Sequence, residues 1–416
     1  MSQVHRRFTD DQVRALLQAY CRGGIRSALL QEALGIQKTQ FFALLKDYRR
    51  DPERFSIKYA RASRQRLLAE VEARIESELL CEKRLVDDPQ LPISSYNYTV
   101  LRNRMLDDRV EVSLTTIIAR AKALGCHRAR PPHKAHDRQV QTEAIGALVQ
   151  HDASIHLWSP FATEKWTLIT SIDDYSRKLL FADFVSRETT WAHIQAAAAL
   201  IQECGLPLCY YVDSLRIFRF VQGRDSVWRN HVLQTDDADP QWRQLMRLLN
   251  INVTHALSPQ AKGKVERPYR WLQDHIVRTC ARENLTELNQ VREVLRDEVN
   301  RYNNRQLHST TKEIPRFRYE RAMHQGLSLF RPFKIPAPFT SLDDVFCLRM
   351  TRVVSTYRRI KVANQDIPVP NVPAHEEVKL HLIPDETTNS MSIRIWWNVK
   401  LVHTTVLPLN IFRVHF

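Results

Sequence analysis

The chain has 416 residues and a mass near 48.7 kDa, room for two to four domains of about 100 to 200 residues each. Its 44% hydrophobic and 26% charged residues exclude a disordered or fibrous chain. The 61 Lys and Arg against 46 Asp and Glu leave a formal charge of +15, which points to a polyanionic partner. No apolar run nears the ~18 residues of a membrane span, and no apolar stretch follows the basic start MSQVHRRFTDDQ. A cytoplasmic protein with no membrane partner is expected.

The charge is unevenly spread. Residues 1–140 hold 26 basic against 17 acidic side chains, 141–325 hold 24 against 22, and 326–416 hold 11 against 7. Positive flanks around a nearly neutral middle suit DNA-holding ends around a catalytic centre. Seven cysteines without a CxxC pair argue against a disulfide framework and a zinc knuckle. Cys126, His127, His133 and His136 fit no zinc spacing and read as a basic linker.

In chain order, Thr9 and Gln12 form a capping box before a helix with Val13, Leu16, Leu17 and Tyr20 on one face, stopped by Gly23-Gly24. A second helix runs Ile25 to Leu34, and a third starts near Gln37 and ends at Asp51-Pro52. Helix, tight turn at Leu34-Gly35-Ile36, helix is a helix-turn-helix pattern. It puts Gln37, Lys38, Thr39 and Gln40 at the start of a recognition helix, the DNA-binding candidates of residues 1–60. A long charged helix follows from Arg64 to Val86, a helical linker over 61–92 closed by Pro89 and Pro92. Ser94 then caps a helix through Met105, and VSLTTIIARAKALG reads as a second recognition helix, so 93–126 form a second helix-turn-helix unit. Its DNA-contact candidates are Ser113, Thr115 and Thr116. The proline-punctuated stretch 127–139 marks a boundary.

From 140 to 325 the texture becomes α/β. ALVQHDASIHLW, WTLITSIDD and KLLFADFVS read as hairpin-linked strands, then an Ala-rich helix from Thr190 to Glu203, a strand LCYYVD, and further helix and strand. That order is compatible with a ribonuclease-H-like core. From 330 to 416, prolines followed by alternating apolar and polar runs predict a small antiparallel β-barrel. The fold class expected is therefore multidomain: all-α helix-turn-helix units, a central α/β core and a C-terminal barrel.

Three carboxylates stand at run ends or at a helix start: Asp152 ending ALVQHD, Asp213 ending LCYYVD, and Glu266 in SPQAKGKVERPYRWLQDHIV. Phosphodiester chemistry on DNA uses such hard oxygen ligands to hold two Mg²⁺ ions about 3.5–4 Å apart. Asp173-Asp174 reads as a β-turn, Asp236, Asp237 and Asp239 as a solvated loop, and Trp158 as packing. Pro268 suits a helix whose first turn contains it.

The stretches VQHDASIHLW, SIDDYSRKLLFADFVSRETTWAHI, YYVDSLRIFR, LNINVTHALSPQAKGKVERPYRWLQDHIV and YNNRQLH resemble the DDE transposases of bacterial insertion sequences, relatives of retroviral integrases and most like the group called ISNCY. The resemblance spans about residues 148–308. It implies that Asp152, Asp213 and Glu266 are the catalytic, metal-holding triad for Mg²⁺, with Mn²⁺ able to substitute. It further implies DNA end cleavage and strand transfer, double-stranded DNA partners (terminal inverted repeats and target DNA), a homo-oligomer on DNA and a place at the bacterial nucleoid. Lys262, Lys264 and Arg267 border Glu266 and are read as phosphate contacts. The 53 residues from Asp213 to Glu266 exceed the usual spacing, which implies an insertion at about 216–240 before a helix at Gln241. A tyrosine recombinase is set aside, since its HxxR pattern at His127–Arg130 falls in the linker. The remaining alternative is a non-catalytic DNA-binding regulator derived from a transposase.

Overall fold

In a computed structural model, which describes residues 4–57, 67–128, 142–212, 241–255 and 266–412, Thr9 and Gln12 cap each other as their spacing predicts. Gln12 N donates to Thr9 Oγ1 at 3.3 Å and Thr9 N to Gln12 Oε1 at 2.7 Å. A short α1 (Val4–Arg7) precedes that cap and α2 (Asp10–Cys21) follows it. Gly35, at φ 65°, ends α3 (Ser27–Leu34) and turns the chain into α4 (Lys38–Arg50). A left-handed residue there favours glycine, which has no Cβ to clash. Leu16, Leu17, Leu30, Leu34, Phe41 and Leu45 close the three-helix core, and Ile314 and Phe317 from far downstream complete it.

The second helical group is α5 (Ala69–Asp87), α6 (Tyr98–Asp107) and α7 (Leu114–Ala123). The expected start of α5 at Arg64 lies outside the described residues. The cap of α6 is Asn97, not Ser94. Asn97 Oδ1 accepts from Thr99 N at 3.1 Å and Val100 N at 3.3 Å, while its own N–H goes to Glu82 at 3.1 Å. The chain before it is taken up by Ile93 and Tyr96, which enter the core of this group.

The α/β unit comprises β1 (Val149–His156), β2 (Trp166–Asp173), β3 (Leu179–Val185), α8 (Thr190–Cys204), β4 (Cys209–Val212), α9 (Gln241–Leu248), β5 (Asn252–His255), α10 (Glu266–Glu283), α11 (Leu288–Arg305) and α12 (Pro315–His324). The strand order is β3-β2-β1-β4-β5, antiparallel across the first three and parallel across β1-β4-β5. Mixed pairing in that order, with helices packed on the sheet, fits the expected ribonuclease-H-like core. Ile194, Ala197 and Ile201 of α8 and Trp242 and Leu245 of α9 pack with Val149, Tyr210 and Val212. Leu272 and Ile276 of α10 and Val291 and Leu295 of α11 pack with Trp166, Leu168 and Phe184. Asn303, in the YNNRQLH stretch, accepts from Leu179 N and donates to Leu179 O, both at 2.9 Å, and so fastens α11 to β3.

The C-terminal part holds α13 (Leu342–Val345), β6 (Leu348–Val353), β7 (Arg359–Val362), β8 (Gln365–Pro368), β9 (Glu377–Asp385), β10 (Ser390–Trp397) and β11 (Lys400–Pro408). It is antiparallel throughout, as expected, but the hydrogen-bonded ladder among the described residues is open. Four strands run in the order β11-β10-β9-β6, and β7 and β8 form a separate ribbon. Asp344, with no exposed surface, anchors this sheet by accepting from Arg394 Nε and Nη2 at 2.7 and 2.9 Å, Trp396 Nε1 at 3.1 Å and His381 Nδ1 at 3.3 Å.

Two predictions come from buried charge. Arg278 of α10 bonds Glu82 of α5, and both are nearly without solvent. Arg278→Met should destabilise the chain by about 3–5 kcal/mol, because it strands a buried carboxylate. Glu82→Gln added to it should recover part of that loss in urea denaturation. Burial, reinforced by the Arg349 cation and opposed by Asp344, pulls the His381 imidazole down to about 4. Its folded value is thus below the unfolded one, near 6.5. The associated stability is complete above pH 6.5 and is lost as the pH falls towards 4, by about 3 kcal/mol. The urea midpoint should fall less between pH 7 and pH 4.5 in His381→Leu than in the unaltered chain.

Candidate active site

Alternation along β1 sorts its side chains to two faces of the sheet. Asp152, 8% exposed, is paired in register with Thr170 of β2, and His151 with Ser171. The face of Asp152 and Thr170 is met by Tyr269 of α10. The Tyr269 hydroxyl donates to the Asp152 main-chain carbonyl at 2.5 Å and accepts from Thr170 Oγ1 at 2.8 Å. Burial, with the Asp152 charge adding to it, pushes the phenol well above its usual range, so it stays a donor.

Glu266 and Arg267 open α10. Pro268 stands third in that helix, in the first turn where its missing N–H costs nothing. On the other flank, β4 pairs in parallel with β1 through Val149–Tyr210 and Gln150–Tyr211 and ends at Val212. Asp213, Lys262, Lys264 and the 216–240 stretch lie outside the described residues, and Glu266 and Arg267 are described as helix backbone only. Among the described residues no group of three or more His, Cys, Asp or Glu could hold a metal. Asp152 is thus the one member of the expected triad whose side chain is described.

The opposite face of β1 carries a buried chain of hydrogen bonds that the sequence reading missed. His151 Nδ1 meets Ser171 Oγ at 2.8 Å, His151 Nε2 meets His193 Nδ1 at 2.8 Å, and His193 Nε2 meets Glu188 at 3.1 Å. The His151 ring lies nearly parallel to Trp242 at 5.9 Å between centroids. Burial, then the neighbouring His193, hold His151 well below the usual imidazole range. It is neutral at pH 7 and serves to couple β1 to α8. A histidine beside the strand's carboxylate was the available signal, but its partners are far away in sequence.

The Asp173-Asp174 turn is structural. Asp173 Oδ2 accepts from Ser176 N and Oγ at 2.7 and 2.6 Å, and Asp173 Oδ1 from Gly146 N at 2.9 Å. Asp174 is fully buried, paired with Arg177 at 2.8 Å and bonded by Gln150 and Thr142. Trp158 is fully buried against Phe184 and His156, a packing residue. Gln37, Lys38 and Thr39 are exposed at the start of α4, and Gln40 is half-buried, its Oε1 accepting from Gln37 N at 3.4 Å. At α7, Ser113 Oγ caps Thr116 N at 3.1 Å, and of Ser113, Thr115 and Thr116 only Thr115 is exposed. No described helix is long and apolar enough to cross a membrane.

No protein-family model matches the chain. It is 29% identical over 232 residues to the putative transposase y4bF of Sinorhizobium fredii, covering 56% of this chain and 46% of that protein. It is 28% identical over 172 residues to the transposase for insertion sequence IS1202 of Streptococcus pneumoniae, covering 41% of this chain and 35% of that one. The chain is similar to insertion-sequence transposases. The match spans less than half the length of either of these relatives. Among solved structures it is similar to the catalytic core domain of BIV integrase, at 18% identity and a TM-score of 0.31, over 44% of this chain and 98% of that one. It is also similar to the HTLV-2 integrase catalytic core domain in complex with magnesium, at 15% identity and a TM-score of 0.30, over 41% of this chain and 97% of that one.

The contrast between the acids is testable. Asp174→Ala leaves the Arg177 guanidinium buried without its counter-charge and should lower stability by about 3–5 kcal/mol in urea denaturation. Asp152→Asn keeps the shape of the side chain and the Tyr269 bond to its main-chain carbonyl, so it should lower stability by less than Asp174→Ala in the same denaturation.

Proposed function

We propose that the chain is a transposase that cleaves the ends of an insertion sequence and joins them to target DNA, with Asp152, Asp213 and Glu266 as its catalytic carboxylates. The observation that carries the reading is the meeting of three backbone elements. Asp152 lies on the central strand, β4 runs parallel beside it up to the residue before Asp213, and the first turn of α10, which begins at Glu266, is bonded to the Asp152 carbonyl. The similarity to the two transposases supports the same reading.

An all-carboxylate donor set suits hard divalent cations, so the three residues would hold Mg²⁺, two ions, with Mn²⁺ as a substitute. Bound metal of this kind lowers the pKa of water and offsets negative charge on oxygen. Water would add to phosphorus at the element's end while the departing oxygen takes up a proton, which leaves a 3′-OH. That hydroxyl would then displace a target 3′-oxygen at phosphorus. Lys262, Lys264 and Arg267 would hold phosphates beside the reacting bond, a role without base code.

Gln37, Lys38, Thr39 and Gln40 on α4, and Ser113, Thr115 and Thr116 on α7, would read the terminal inverted repeats from two helix-turn-helix units, residues 1–60 and 93–126. The positive excess of the N-terminal third supports that assignment. The catalytic unit is taken as 140–325 and the β unit as 330–416, which would bind DNA or neighbouring copies. Two ends must be handled together, so a homo-oligomer on double-stranded DNA follows. The full chain, with duplexes cut from DNA flanking its gene and Mg²⁺ or Mn²⁺, is expected to nick at the 3′ end and transfer strands. Asp152→Asn, Asp213→Asn and Glu266→Gln should each reduce both steps at least 10³-fold while changing end binding less than about threefold. Retained cleavage in any one would remove that residue from the site, and end binding without cleavage in the unaltered chain would favour a non-catalytic regulator.

A further inference from the structure

We propose that Tyr269 is the positioning residue that sets the first turn of α10 against the Asp152 strand, and that its hydroxyl does this, not its ring. The proposal rests on the reading of Asp152 and Glu266 as paired catalytic carboxylates. Tyr269 is buried, and phenylalanine would fill the same space among Leu168, Leu272 and Phe184. A hydroxyl taken out of water costs free energy unless it is hydrogen-bonded. Here it is bonded in both directions, to the Asp152 carbonyl at 2.5 Å and to Thr170 Oγ1 at 2.8 Å. Those two residues face each other across β1 and β2, so one phenol joins the helix to both strands at the level of the carboxylate.

Its place on the helix gives the contact its consequence. Position 266 is three residues before Tyr269, about 4.5 Å along a helix axis, and positions three apart are neighbours on a helix surface. The bond at 269 therefore fixes both the height and the rotation of α10 where Glu266 enters it. Among the described residues β1 pairs with β4 as far as Gln150–Tyr211, and at Asp152 the strand is held by β2 on one edge and by this contact from the helix side. Carboxylates that share a cation must be held to within about 0.5 Å, and groups that orient ligands change metal affinity or activity about 10- to 100-fold when removed.

The test uses the full chain with two readouts: nicking of supercoiled plasmid DNA in Mn²⁺, and the rise in Tm on titrating Mn²⁺ without DNA, which reports metal binding alone. Tyr269→Phe should raise the Mn²⁺ midpoint about 10-fold and slow nicking by about as much or more. Ile393→Val, a buried change in the C-terminal sheet chosen for a similar loss of Tm, should leave the midpoint where it is. A Tyr269→Phe protein with an unchanged midpoint and unchanged nicking would overturn the proposal, as would an equal midpoint shift in Ile393→Val. Nicking that survives Asp152→Asn, or a Tm that Mn²⁺ does not raise in the unaltered chain, would instead bring down the carboxylate site on which the proposal stands.

Discussion

Helix α10 is held at both ends by polar contacts that have almost no water around them. At its start the Tyr269 hydroxyl meets the central strand. Towards its end Arg278 and Arg282 meet Glu82 and Glu78 of α5, carboxylates that are 7% and 1% exposed. Asp274 and the Ser95 carbonyl complete the shell around Arg278. Taking such charges from water costs several kcal/mol apiece, so the pairs add little net stability over well-packed apolar residues. What they add is discrimination, because any other register of α5 on α10 would leave a charge buried alone. One helix thereby fixes the second helical unit and the first turn at Glu266 in a single frame.

The first helical unit is docked by the same physics on another helix. Gly24 leaves open the space in which the Arg321 side chain of α12 lies, and a Cβ there would come within 1.8 Å of Arg321 Cδ. Arg321 is in turn held by Glu313 at 2.6 Å, and Ile314 and Phe317 finish the core of α2, α3 and α4. Both helical groups therefore use downstream helices to close their own packing. The +15 excess is not spent in these docks, where each arginine meets a carboxylate, so it remains for the surfaces that face outward.

What was legible in the sequence is local, and what was not is distant. Thr9 with Gln12, Gly35 between α3 and α4, Pro268 in a first turn and the Asp173–Ser176 bonds of the Asp-Asp turn all act within about four residues. A pattern of residue types is enough to find contacts of that kind. The sequence marks α5 only as a long charged helix of a linker, yet two of its carboxylates are buried against arginines 196 and 204 positions away. The Tyr269 contact spans 117 positions, and the Asp344 side chain draws on partners from two strands, β9 and β10, up to 52 positions off. The cap at Asn97 was misplaced for the same reason, since Glu82 and Asp274 choose it from outside the helix. In the candidate site, Asp152 could be picked out as a strand carboxylate, but the phenol that steadies its strand could not.

The two faces of β1 carry contacts of different kinds. His151 and Ser171 commit the α8 face to a buried set of hydrogen bonds that reaches His193, in which burial holds the His151 imidazole below its usual range. Because neighbouring residues point to opposite faces, Asp152 stands on the side where α10 arrives. On that side the Tyr269 hydroxyl bonds the Asp152 main-chain carbonyl. A strand anchored through its backbone and through the alternate residue holds the neighbouring side chain in place, which is the condition a cation-holding or phosphate-facing acid has to meet.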